Sequence, residues 1–231
     1  MTVSSTIYRT TNWIARHWLA TFNSFIGLYV LLPLVAPLLM MNGFTRPANW
    51  LYTIYAPTCH QMAFRSVFIG GEQIVYPREH AHTLQNITSF EEYAQHLEEF
   101  HDVSLTGLGT DLMLTARSFT GNSEMGYKSA ICQRDLMIFG GVFAGGLIFA
   151  VVSRRRNVRP LPIWAFILFG MGPIGLDGFS QLFSYYIPQL AFRESPPYLR
   201  LLTGLIFGLS VAWLALPHLQ QGMADPELVE G

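Results

Sequence analysis

Residues 19–41 read LATFNSFIGLYVLLPLVAPLLMM, a run without a charged side chain. As a helix rising ~1.5 Å per residue, it spans the roughly 30 Å hydrocarbon core of a bilayer. The run exceeds the ~7–15 apolar residues of a secretory signal core, and no small-x-small cleavage site follows at Met40-Met41-Asn42-Gly43. A retained membrane anchor is therefore expected. Pro33 and Pro37 are tolerable within it, because neighbouring groups re-satisfy the carbonyls that a proline frees. Residues 1–18 read as an interfacial lead-in, with Trp13 and Trp18 at headgroup level beside Arg9, Arg16 and His17.

The remaining sequence extends this reading. The chain of 231 residues is 51% hydrophobic and 13% charged, against about a quarter charged in soluble proteins. A formal net charge of −1 supplies no electrostatic footprint for nucleic acid, so the expected partner is the lipid bilayer. Four more apolar segments follow, at about 50–69, 136–152, 161–186 and 199–216. The first of these is more polar, and the third is interrupted by Gly170, Gly172, Pro173, Gly175 and Gly178. The expected fold is an all-α, polytopic membrane helix bundle of four to five helices. Segments one and two occupy 19–70, segments three to five occupy 132–217, and a tail covers 218–231. Segment two either crosses the membrane or dips in and returns.

The arginines Arg154, Arg155, Arg156 and Arg159 between segments three and four mark a cytoplasmic loop, which puts the C-terminus in the cytoplasm. The expected location is the plasma (cytoplasmic) membrane. Residues 71–131 then form an extracytoplasmic insertion with nine acidic and three basic residues, a small acidic helical cap. Ser89-Phe90-Glu91-Glu92 is a capping box, and the apolar spacing after it predicts a helix to about Phe100. A second helix is predicted over residues 111–119. The glycine pairs Gly141/Gly145 and Gly204/Gly208 have small-xxx-small spacing, which lets membrane helices approach closely.

Polar clusters beside these segments are expensive in or near lipid and so mark candidate sites. They are Cys59-His60-Gln61, Cys132-Gln133-Arg134-Asp135 and Asp177-Gly178-Phe179-Ser180-Gln181. Asp177 lies nine residues before Tyr186, hence roughly 13 Å below the outer end of its helix, with Gln181 on the same face. Thiolate, imidazole and carboxylate together suit zinc, with Cys59, His60, Cys132 and Asp177 as the ligand set. A disulfide between Cys59 and Cys132, or two unpaired cysteines packed as small apolar side chains, are the competing readings. For Asp177 the structural alternative is a salt bridge to Arg134 or Arg65, or hydrogen bonds to backbone freed by Pro173. The histidines at 80, 82, 96 and 101 read as solvated, and Asn86-Ile87-Thr88 is a glycosylation sequon.

These motifs, with Arg65-Ser66 and Arg200-Leu201-Leu202-Thr203-Gly204, resemble domain-of-unknown-function family 2085, a family of uncharacterised multi-pass membrane proteins. The resemblance covers about residues 55–217. It implies a membrane helix bundle with a site where the motifs meet, and names no substrate. Family members often have Cys-x-Arg-Cys where this chain ends the motif with Asp135, so a mixed Cys/His/Asp site is expected. The function expected from the residues is a metal-dependent hydrolase acting on a lipid or lipid-linked substrate at the outer leaflet. Asp177, His60 and Arg134 would be catalytic, and Arg200 and Gln181 would hold the substrate. The alternatives are a non-catalytic subunit of a membrane complex with a Cys59–Cys132 disulfide, and a transporter.

Overall fold

A computed structural model describes residues 13, 15–81, 87–187 and 189–223. Most of the lead-in, His82, Asn86 of the sequon and the tail from 224 lie outside these residues. In chain order the elements are α1 (Trp18–Met41), α2 (Thr45–Tyr55), β1 (Ser66–Ile69), α3 (Phe90–Ala94) and α4 (Thr110–Ser118). There follow β2 (Gly121–Asn122), β3 (Gly126–Cys132), α5 (Gln133–Val152), α6 (Ile163–Tyr186) and α7 (Pro197–Met223).

α1, α5, α6 and α7 are long and apolar enough to cross a membrane. Phe25, Leu28 and Leu31 of α1, Ile148 and Val151 of α5, and Leu168 and Phe169 of α6 are exposed, as side chains that face lipid must be. The glycines do what their spacing predicts. A Cβ on Gly208 of α7 would lie 2.0 Å from the Ile138 carbonyl, and one on Gly141 of α5 would lie 2.7 Å from the Leu205 carbonyl. Backbone therefore packs on backbone along α5 and α7.

Two prolines shape the other spans. Pro173 has no N–H to give, and the wide π-helical turn Phe166–Met171 that precedes it absorbs the misfit. α7 does not stop at Pro217 as expected but continues to Met223. The carbonyl that Pro217 deprives of a partner belongs to Trp213, and it accepts the N–H of Leu161 at 3.1 Å instead.

Residues 50–69 form no membrane-length helix, so of the two alternatives for segment two the full crossing is not what the fold adopts. α2 ends at Tyr55, a 3₁₀ turn covers Ala63–Arg65, and β1 follows. α2 buries Ala48, Tyr52 and Tyr55 against Tyr29, Leu32, Leu39 and Met40 of α1, while Trp50 and Ile54 point outward. Four crossings would put Trp18 and Met223 on one side of the membrane.

The cap contains a sheet that the helical patterning does not announce. Its order is β1-β3-β2, antiparallel, pairing Ser66 with Cys132 and Ile69 with Tyr127, then Gly121 with Tyr127. The β2–β3 turn is held by the Asn122 side-chain oxygen, which accepts from the Glu124 and Met125 amides at 3.0 and 2.8 Å. Gly126 sits at φ +75°, where a Cβ would be 2.4 Å from the Gly71 nitrogen. Phe64, Phe68, Tyr76, Phe90, Phe100, Leu112 and Met125 fill the cap's core.

Ser89 caps α3 through the Glu92 amide at 3.3 Å, as its capping box predicts. The helix ends at Ala94, however, not Phe100, and a 3₁₀ turn at Glu98–Phe100 follows. Ten residues of unbroken helix would set Phe90 and Phe100 about 15 Å apart. The break brings their rings to 5.3 Å, edge to face, in the core.

Candidate functional site

The Cys59-His60-Gln61 turn is built around a strained residue. Gln61 has φ +52°, a left-handed backbone uncommon outside glycine. Three hydrogen bonds hold it: its amide group donates to the Tyr52 and Ala130 carbonyls at 2.9 and 2.7 Å, and its carbonyl accepts from Lys128 Nζ at 2.6 Å. In that conformation the Gln61 N–H points back at Cys59 Sγ, 3.4 Å away. The β1–β3 register delivers the second cysteine. With Cys132 opposite Ser66, the Cys132 N–H donates to the same Cys59 sulfur at 3.1 Å.

Cys132 is the N-cap of α5, so Asp135 stands in the first turn of the helix, and the Cys132 thiol donates to Asp135 Oδ2 at 3.0 Å. The sulfurs of Cys59 and Cys132 and a carboxylate oxygen of Asp135 all lie within 4.8 Å of one another. Both cysteines are free. The neighbouring Cys132 thiol pulls Cys59 below the ordinary thiol range, against the opposing effects of burial and of Asp135, with help from the two amides. The Cys59 sulfur beside it and its own burial push Cys132 up. Of the two, Cys59 is the thiol that gives up its proton more readily.

Beside this cluster runs a buried ion-pair network. Asp177, 4% exposed, accepts from Arg134 and, at 2.8 Å, from Arg193, while the Ser195 hydroxyl lies 2.7 and 2.5 Å from its two oxygens. Glu194 is gripped by Arg65 at 2.9 and 3.1 Å, by Arg200 and by the Tyr185 hydroxyl. Burial alone would raise the Glu194 carboxyl, but Arg65 and Arg200 outweigh it and hold it at about 2. Arg65 comes from the cap and Arg200 from α7, so Glu194 fastens the cap to the bundle.

The two arrangements meet at a cleft of about 240 Å³. His60, Cys132 and Asp135 line one part of it; Arg65, Arg134, Arg200 and Gln181 line the rest. The structure therefore brings Cys59, Cys132, His60, Arg134, Arg200 and Gln181 to one place, as the motifs suggest. His60 is exposed at the rim, and Gln181 donates to the Tyr185 hydroxyl. Asp177 is not among the cysteines. Both its oxygens are taken by arginine and serine, so the salt bridge to Arg134 is what the structure shows for it. Asp135 occupies the position beside the cysteines that Asp177 was expected to fill.

The residues missed by motif reading are Tyr185, Arg193, Glu194 and Ser195. An Arg-Glu-Ser triplet between two membrane-length apolar runs is the signal that could have found three of them, since charges there need partners. The histidines at 96 and 101 are exposed, as expected of solvated side chains.

As a metal centre the cluster is chemically coherent. A tetrahedral zinc with Zn–S ~2.3 Å and Zn–O ~2.0 Å needs donor separations of roughly 3.5–3.8 Å, within small side-chain adjustments of those present. Two sulfurs and one oxygen would leave one of four ligand positions to be filled. His60 is the imidazole nearest in sequence to that position.

Comparison with known proteins bears on the membrane half of the chain. An uncharacterized protein of Methanocaldococcus jannaschii is 30% identical over 92 residues, covering 40% of this chain and 54% of that protein. The chain thus spans about half the length of this curated relative. No solved structure matches the chain. Cys59-His60-Gln61 precedes the part of the chain that the family comparison covers, whereas Cys132, Asp177 and Arg200 fall inside it. Residues 114–214 match the family described as Predicted membrane protein (DUF2085), a stretch that holds three of the four ordered motifs from which the resemblance is read.

Proposed function

We propose that this integral membrane protein is a metal-dependent enzyme, hydrolytic in type, acting on a lipid or lipid-linked substrate. The observation that carries the reading is the convergence of Cys59, Cys132 and Asp135 within 4.8 Å, with Cys132 and Asp135 lining a cleft walled by arginines at the cap end of the membrane helices. Zinc is the metal that this donor set suits, with His60 available as a further ligand or as a proton acceptor. Bound there, zinc would activate a water molecule at neutral pH. Cys59 would hold it as the thiolate that two amides already favour. Arg134 and Arg200 would orient an anionic part of the substrate, and Gln181 would contribute a hydrogen bond. By the positive-inside reading of the α5–α6 loop, the cap faces outward and the C-terminus lies in the cytoplasm of a plasma-membrane protein.

The test is metal analysis of the full chain purified in detergent, with thiol counting. About one zinc per chain, lost in Cys59→Ser and Asp135→Ala, is the expected result. No transition metal, together with a Cys59–Cys132 disulfide, would overturn the reading. That outcome would support the second one, a non-catalytic subunit of a membrane complex. The proximity of the two sulfurs and the stapling of cap to bundle through Glu194 favour this alternative.

A further inference from the structure

We propose that the cleft binds a phosphate group, carried by a lipid headgroup or free in solution, on Arg134 and Arg200. The inference rests on the reading of this cleft as a substrate site and names the substrate's recognition element. Its ground is an imbalance of charge. Four guanidiniums, those of Arg65, Arg134, Arg193 and Arg200, are paired with only two carboxylates, Asp177 and Glu194. The surplus is not at a solvated surface: Arg200 is 4% exposed, and Arg134 is largely covered.

Their donors are also incompletely used. Arg134 reaches Asp177, and Arg200 reaches Glu194, each through Nη2 alone. The Arg134 Nε is buried without a hydrogen-bond partner among the described residues. A buried cationic donor left this way is costly, and an anion that accepts from it removes the cost. Asp135 is the one acid lining the cleft among the described residues. With Asp135 engaged by a metal, nothing acidic in the wall opposes an anion.

The choice among anions follows from number and shape. Three guanidiniums share this wall, each a planar fork that matches two oxygens of a tetrahedral group. A carboxylate offers two oxygens in one plane and leaves the third fork unused. A phosphate offers three or more and carries up to two charges. A cavity of about 240 Å³ holds such a group with little to spare for a large organic body. The body therefore has to lie outside, in the aqueous phase or among the acyl chains.

The experiment is calorimetric titration of the full chain in dodecyl maltoside, which contains no phosphate. The probes are inorganic phosphate, dioctanoyl phosphatidate and, as the carboxylate control, octanoate. Binding of either phosphate probe, at least tenfold tighter than octanoate, is expected. Phosphatidate tighter than inorganic phosphate identifies a lipid source, and the reverse order a free one; both support the inference. Arg134→Gln should weaken binding at least tenfold, and it leaves Asp177 paired with Arg193 and Ser195. The double variant Arg200→Gln/Glu194→Gln removes a buried charge pair together and should also lose binding. Failure of both phosphate probes to bind wild-type protein, octanoate binding as tightly, or wild-type affinity in folded Arg134→Gln would overturn the inference. Metal content is measured on the same samples. Zinc present without phosphate binding sinks the inference alone, and phosphate binding without zinc sinks the metal reading alone.

Discussion

Replacing Glu194 with glutamine tests whether one buried carboxylate fastens the cap to the membrane bundle. The Glu194 side chain is 1% exposed and lies between Arg65 and Arg200, so the substitution leaves two guanidiniums facing a neutral amide. Removing one member of a buried ion pair costs about 3–5 kcal/mol. The pH dependence gives an independent size. A carboxyl held at about 2, against its ordinary 4.5, is worth about 3 kcal/mol at about 1.4 kcal/mol per pH decade.

The sign follows from proton binding. Because the folded protein depresses this group, its stabilisation is complete above pH 4.5 and disappears as pH falls toward about 2. About 2 kcal/mol should already be gone by pH 3. Glu194→Gln has no such dependence at this site. The assay is denaturant unfolding of both proteins in detergent at pH 7, 5, 4 and 3, followed by fluorescence. A gap of about 3 kcal/mol at pH 7 that shrinks to about 1 kcal/mol at pH 3 is expected. A gap below about 1 kcal/mol at pH 7, or one that does not change with pH, would refute the reasoning.

Three further outcomes are expected. Asp135→Cys restores the Cys-x-Arg-Cys pattern and, by adding a softer ligand, should make the protein retain zinc longer against a chelator, whereas Asp135→Ala should release it; metal content over time decides. Gly208→Ala places a methyl 2.0 Å from the Ile138 carbonyl and should lower stability by about 1–3 kcal/mol or more, while Gly140→Ala, with nothing within 4 Å, should be near neutral; thermal melts of the two separate these cases. Lys128 is buried, which lowers its ammonium from 10.5 to about 7. The unfolded chain therefore binds more protons between those values, so stability should rise with pH from about 7 to 10, and Lys128→Met should flatten that rise in pH-dependent unfolding.

The membrane spans were legible because lipid imposes a simple rule on composition over some 20 residues. The glycine pairs were legible for the same reason, since contact between helices depends on side-chain size at fixed spacing. The stretch 50–69 misled because an apolar run cannot distinguish a membrane segment from a short helix, a turn and a strand of four residues. The two cysteines could be paired from their motifs, but their common ground is set by the Ser66–Cys132 register, a non-local contact that no local pattern encodes. Asp177 drew attention as a lone acid in an apolar helix. Its arginine and serine partners at 193 and 195 lie in a loop whose return to the helix only the fold reveals.

β3 passes into α5 with no intervening loop: Cys132 ends the strand and Gln133 begins the helix. Strand and helix joined this way act as a single strut, one end in the aqueous cap and the other about 30 Å away across the bilayer. Membrane helices tilt to match the thickness of the lipid around them. A tilt of α5 would therefore load the bonds by which β3 holds the Cys59-His60-Gln61 turn, from the Cys132 amide, the Ala130 carbonyl and Lys128. Bilayer thickness would then be an input to the geometry of the sulfur pair, and acyl-chain length a variable that tunes it from outside.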